Sequence, residues 1–157
     1  MAQFNQFLPI LIGALVAIVS MLAGGWVLYR FLDYRERKRN LREQLGELLS
    51  QAYEVEHWLK RLRSAELLNG PPINEPNPMK HVKTISRLYV PVVRPEVRKL
   101  DRAVDQFEEW VHEGVAEKKA TRSVSDKTLS KYPVVQRAVM DAITDLANRA
   151  ESLVVQR

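Results

Sequence analysis

From Met1 to Tyr29 the chain carries no charged side chain, and Leu8 to Leu32 is apolar apart from Ser20 and Arg30. At about 1.5 Å of rise per residue, a helix of that length crosses a hydrocarbon layer roughly 30 Å thick. Pro9 suits the first turn, where the missing N–H costs nothing. Trp26, Tyr29 and Tyr34 fall where an interfacial aromatic belt belongs, with Phe4 and Phe7 at the other end. A cleaved leader would place its bases before the apolar run and keep that run short; here the run is long and the bases follow it. The run therefore predicts a single transmembrane anchor over residues 1–32, with residues 33–157 forming a separate helical domain.

Charge orients that anchor. Arg30, Arg35, Arg37, Lys38, Arg39 and Arg42 face only Asp33 and Glu36 between residues 30 and 42, so most of the net +5 sits just past the apolar run. The remainder of the chain is close to neutral. Bases after a span are retained in the cytoplasm, which predicts an inner-membrane protein with its N-terminus outside and its C-terminal domain cytoplasmic. The same cluster suits contact with anionic lipid, each well-placed base contributing on the order of 1 kcal/mol. Within the span Gly13, Ala17, Ser20 and Gly24 recur at four, three and four residues, a small-residue stripe against which another helix could pack.

Past the interface the apolar period is helical. Leu41, Leu45, Leu48, Ala52, Val55, Leu59 and Leu62 alternate steps of four and three, predicting a long helix over 34–69 that ends near Asn69-Gly70. Pro71, Pro72, Pro76 and Pro78 enforce a loop over 70–79. Residues 80–93 leave room for a short helix through Ile85 and Leu88, closed by Pro91. A second long helix over 95–119 turns Val97, Leu100, Val104, Phe107, Val111 and Val115 inward. A third over 133–155 does so with Val135, Ala138, Val139, Ala142, Ile143, Leu146, Ala150 and Leu153.

No strand-like alternation or repeat competes, so the predicted fold is all-α: the anchor continuing into an antiparallel three-helix bundle, with a possible short fourth helix. Charge placement suggests the second helix runs in reverse along the first. Its acidic half then meets Arg35 to Arg42, and its basic start meets Glu54, Glu56 and Glu66.

Chemistry-bearing constellations are few. Without cysteine there is no disulfide, thiol nucleophile or cysteine metal site. Glu54-x-x-His57 and Glu109-x-x-His112 match the spacing of di-iron bundles. At 100° per residue, however, His57 lies roughly 170° and Glu54 about 130° from the centre of their apolar stripe, with Glu109 near 150° and His112 near 95°. These side chains point into water, not into one core. No phosphate loop, nucleophile elbow or His-Glu-x-x-His is present. The expectation is a non-enzyme without catalytic residues, cofactor or metal.

Asp101, Asp105, Glu109, Glu113 and Glu117 form an acidic row at every fourth residue, either a solvated face or a ridge for a basic partner. Trp58 and Trp110 sit about 90° and 105° from their stripe centres, at flanks that bundle neighbours commonly cover. The preferred function is a membrane adaptor or accessory subunit holding a protein partner at the cytoplasmic face, although the heptads also allow a homo-oligomer. One alternative is a tethered binder of nucleic acid or anionic lipid through the basic segment 80–102, with nucleic acid disfavoured by the neighbouring acids. The other is a self-oligomerising, lysis- or toxin-type membrane protein.

Overall fold

The computed structural model describes the backbone of residues 4–155, while side chains of residues 4–20, 22–24, 27, 28, 31–34 and 37 lie outside the described set. Every regular element among the described residues is helical: α1 (Phe4–Leu67), α2 (Met79–Leu88), a 3₁₀ turn (Pro91–Val93), α3 (Arg94–Thr121), α4 (Asp126–Ser130) and α5 (Tyr132–Val155). The chain divides into two units, Met1–Asn40 and Leu41–Arg157.

In the first unit, the Arg30 guanidinium lies 5.1 Å from the Trp26 ring centroid. Among the described residues no helix is long and apolar enough to cross a membrane. The side chains of Leu8–Leu32, on which the anchor expectation rests, fall largely outside the described set.

The second unit is a bundle whose inner faces follow the sequence period. Leu45, Leu48, Ala52, Val55 and Leu59 of α1 are buried against Val97, Leu100, Val104, Phe107 and Val111 of α3 and Val139, Ala142, Ile143 and Leu146 of α5. Each fully buried Leu, Val, Ile or Phe contributes about 1.5–3 kcal/mol. Trp58 and Trp110 join this core, and Phe107, Trp110 and Tyr132 pack as an aromatic trio with centroids 5.4–6.2 Å apart.

Helix ends are set by identifiable local chemistry. Asn69 (φ 58°) takes the left-handed conformation beyond α1, and the Gly70 N–H returns to the Ser64 carbonyl at 2.8 Å. A Cβ on Gly70 would lie 2.9 Å from that same carbonyl oxygen, so the turn requires glycine. The Asn77 side chain accepts the Met79 N–H at 2.8 Å and opens α2. Pro95 occupies the first turn of α3, which closes at Arg122 (φ 63°). Ser125 caps α4 through the Thr128 N–H.

Helix direction departs from the sequence expectation. Lys118, near the end of α3, donates to the carbonyls of Glu66 and Leu67 at the end of α1, and Gly114 packs on Leu67. α1 and α3 are therefore parallel. α5 opposes both, as Lys99–Asp145, Lys131–Glu113 and the stacking of Arg63 on Tyr132 show. The returning leg between α1 and α3 consists of the proline-rich segment and α2: Trp58 meets Glu75, Asn77 meets Glu108 and Lys83 meets Asp101.

The antiparallel pairing of the first two long helices is thus corrected. Extended, proline-rich chain covers about 3.1 Å per residue, so residues 68–78 travel down the bundle instead of turning at its end. The predicted charge match falls with it. The acidic half of α3 lies level with the end of α1.

Candidate interaction surfaces

α2 is set by three buried side chains, Met79, Val82 and Ser86, with the Ser86 hydroxyl donating to the Lys83 carbonyl at 2.9 Å. That packing turns Lys83 and Arg87 toward the start of α3. Together with Arg94, Arg98, Val97 and Asp101 they line a cleft of ≈ 280 Å³. Lys83 is neutralised by Asp101, and Arg94 donates to the Arg87 carbonyl at 2.9 Å. Nearby, Glu96 keeps a buried Oε2 with no hydrogen-bond partner among the described residues, in the first helical turn where the macrodipole favours a carboxylate. The structure therefore gathers much of the basic segment 80–102 into one concave surface; Lys80, Lys99 and Arg102 lie outside its lining.

The connection after α2 is exposed in part. Leu88, Tyr89 and Val92 are 67 %, 57 % and 47 % exposed, whereas Val90 and Val93 are buried. Tyr89 and Val90 donate to the Ile85 carbonyl, and Val93 to the Val90 carbonyl.

The acidic row is divided among different tasks. Asp101 pairs with Lys83, and Glu113 with Lys131 at 3.0 Å. Glu117 accepts the Ser125 N–H at 3.1 Å, and hydrogen bonding with Ser125, side chain and then backbone, holds its carboxyl below the ordinary value. Asp105 and Glu109 are exposed. Glu108, which its pairing with Glu109 placed on an open helix face, is half-buried and accepts the Asn77 amide at 2.8 Å. Burial pushes its carboxyl up, Asp105 adds repulsion, and His112 and Asn77 pull the other way.

Trp58 and Trp110 use their indole N–H to fasten a loop and the short helix α4, respectively. Trp58 donates to the Glu75 carbonyl at 3.2 Å and Trp110 to the Thr128 carbonyl at 2.8 Å. A shallow cavity of ≈ 280 Å³ lies beside the first of these, between Arg61, Ser64 and the segment Pro71 to Glu75. Their flank positions on the helical wheel foretold burial, but nothing local in the sequence points to the carbonyl partners.

Glu54, His57, Glu109 and His112 are all exposed, in keeping with their helical phase. Among the described residues no three His, Asp or Glu side chains are placed to hold a metal ion. Arg30, Arg35, Arg39 and Arg42 are exposed and Lys38 is half-buried, while the side chain of Arg37 lies outside the described residues. So do those of Gly13, Ala17, Ser20 and Gly24, the small-residue stripe. No protein-family model, curated protein or solved structure matches this chain.

Proposed function

We propose that the chain is a single-pass, non-catalytic membrane adaptor, with Leu8–Leu32 as its anchor, the N-terminus outside and the bundle presented to a partner at the cytoplasmic face. The observation that carries this reading is that the apolar run and the first wall of the bundle belong to one unbroken helix, Phe4–Leu67. Whatever the bundle holds is thereby kept where the anchor sits. Several ion pairs and the indoles of Trp58 and Trp110 tie helices and connecting segments together, which suits a rigid binding module. The small-residue stripe would dock the anchor on another membrane helix or on a second copy, and the exposed Asp105 and Glu109 would meet a basic surface.

The test is crosslinking of the full-length protein in its native membrane, followed by purification in mild detergent and mass spectrometry. A stoichiometric partner lost in a Gly13→Leu or Glu109→Lys variant supports the adaptor. Recovery of this chain alone as a closed oligomer refutes it in favour of self-assembly. A C-terminal reporter active only on the outer side would overturn the orientation.

A further inference from the structure

The start of α3 lies at the end of the bundle where α1 enters it. Gly114 is level with Leu67, and α1 and α3 are parallel. Counting back twenty residues, about 30 Å of helix, brings Arg94 level with about residue 47 of α1, close to the first residue of the bundle, Leu41. Only residues 33–40 separate that point from the apolar run ending at Leu32.

Leu88, Tyr89 and Val92, close in sequence, are exposed, while Val90 and Val93 between and after them are buried. Three backbone hydrogen bonds, to Ile85 and Val90, hold the segment in that shape. The apolar tip is bracketed in sequence by Arg87 and Arg94, whose cleft also contains Arg98. Between residues 80 and 99 a single acid, Glu96, opposes six bases. An apolar and aromatic tip inside a basic collar is complementary to a leaflet whose phosphates lie above its acyl chains.

We propose that this connection is a second membrane contact: Leu88, Tyr89 and Val92 enter the interfacial layer of an anionic leaflet, and Arg87, Arg94 and Arg98 meet lipid phosphates. The contact rests on the anchor reading above. It would hold the bundle against the surface and fix which of its faces a partner can reach.

The chain has no cysteine, so single sites take a nitroxide cleanly. Full-length Leu88→Cys, Trp26→Cys and Ala120→Cys variants are labelled and placed in nanodiscs of phosphatidylcholine alone or with one part in three phosphatidylglycerol. Collision with oxygen is then compared with collision with a water-soluble nickel chelate. The expected result is lipid-like accessibility at positions 26 and 88 in anionic discs and water-like accessibility at 120. Loss of anionic lipid, or the added pair Arg87→Gln and Arg94→Gln, should return position 88 toward water, roughly five-fold per base removed.

Lipid at position 26 with water at 88 in both lipids overturns the contact and leaves the anchor standing. Water at position 26 defeats the anchor and the contact together. Equal insertion at 88 in neutral and anionic discs overturns the role of the bases. Shielding at 88 by added single-stranded RNA, with no response to lipid, assigns the surface to nucleic acid instead.

Discussion

The Lys118 ammonium reaches across from α3 to the last turn of α1, donating to the Leu67 carbonyl at 3.2 Å, to Glu66 at 3.0 Å and to the Asn69 side chain at 2.7 Å. A cation here satisfies carbonyls that a helix end leaves unpaired and opposes the negative end of the macrodipole. Because both helices end at this point, the contact also fixes their parallel register.

Lys118→Met keeps the aliphatic stem and removes these three hydrogen bonds. The expected cost is about 1–2 kcal/mol, since part of the interaction is solvent-screened. Urea unfolding of the full chain in detergent measures it. An unchanged midpoint would show that the register is held by packing alone.

Gly114 and Gly46 make a matched pair. A Cβ at Gly114 would approach Leu67 Cδ2 to 2.8 Å, whereas at Gly46 it meets nothing within 4 Å. Gly114→Val should lose roughly 2–3 kcal/mol by forcing α1 and α3 apart. Gly46→Ala should gain about 0.5–1 kcal/mol from helix propensity. Thermal melts of the two variants separate the effects, and similar shifts would contradict the close helix approach.

Removing the Trp110 indole N–H should loosen α4 selectively. Trp110→Phe deletes the bond to the Thr128 carbonyl, at an expected cost of about 1–2 kcal/mol including lost packing. Amide hydrogen exchange should rise first over Ser125–Ser130. Faster exchange spread evenly over α3 and α5 would place the indole's effect in the core instead.

Two carboxylates predict opposite responses to pH. The Glu108 carboxyl is raised in the folded state, so the stability it contributes is full below the ordinary value of 4.5 and is lost as pH rises through the raised value. Glu108→Gln should therefore gain on wild type at neutral pH and lose that advantage on acidification. The Glu117 carboxyl is lowered, so its contribution is full above 4.5 and is lost as pH falls through the lowered value. Glu117→Gln should be less stable than wild type at neutral pH, with the gap closing in acid. Denaturant midpoints at both pH values check the signs; parallel shifts in the two variants would contradict the assignment.

Much of the bundle is legible without coordinates. The spacing from Leu41 to Leu62, from Val97 to Val115 and from Val135 to Leu153 names the inner faces of three helices, because burying an apolar stripe is the dominant reward for folding such a chain. Proline placement and the Asn69-Gly70 pair mark where α1 must stop. The basic segment 80–102 is visible as composition, but its folding into a cleft with an apolar tip is not. That depends on Val82, Ser86, Val90 and Val93 turning inward together.

By its sequence alone this protein commits to an uncharged apolar run followed by arginines, to helices and to their buried faces. Those properties are periodic or local and need no knowledge of neighbours. Tertiary structure alone decided that α1 and α3 run parallel, with the proline-rich segment and α2 returning between them, and that Trp58 and Trp110 reach the carbonyls of Glu75 and Thr128. Exposed charge pairs contribute too little to choose a helix direction. That choice followed from how far the proline-rich segment travels and from the close fit of Leu67 on Gly114, contacts between residues far apart in the chain.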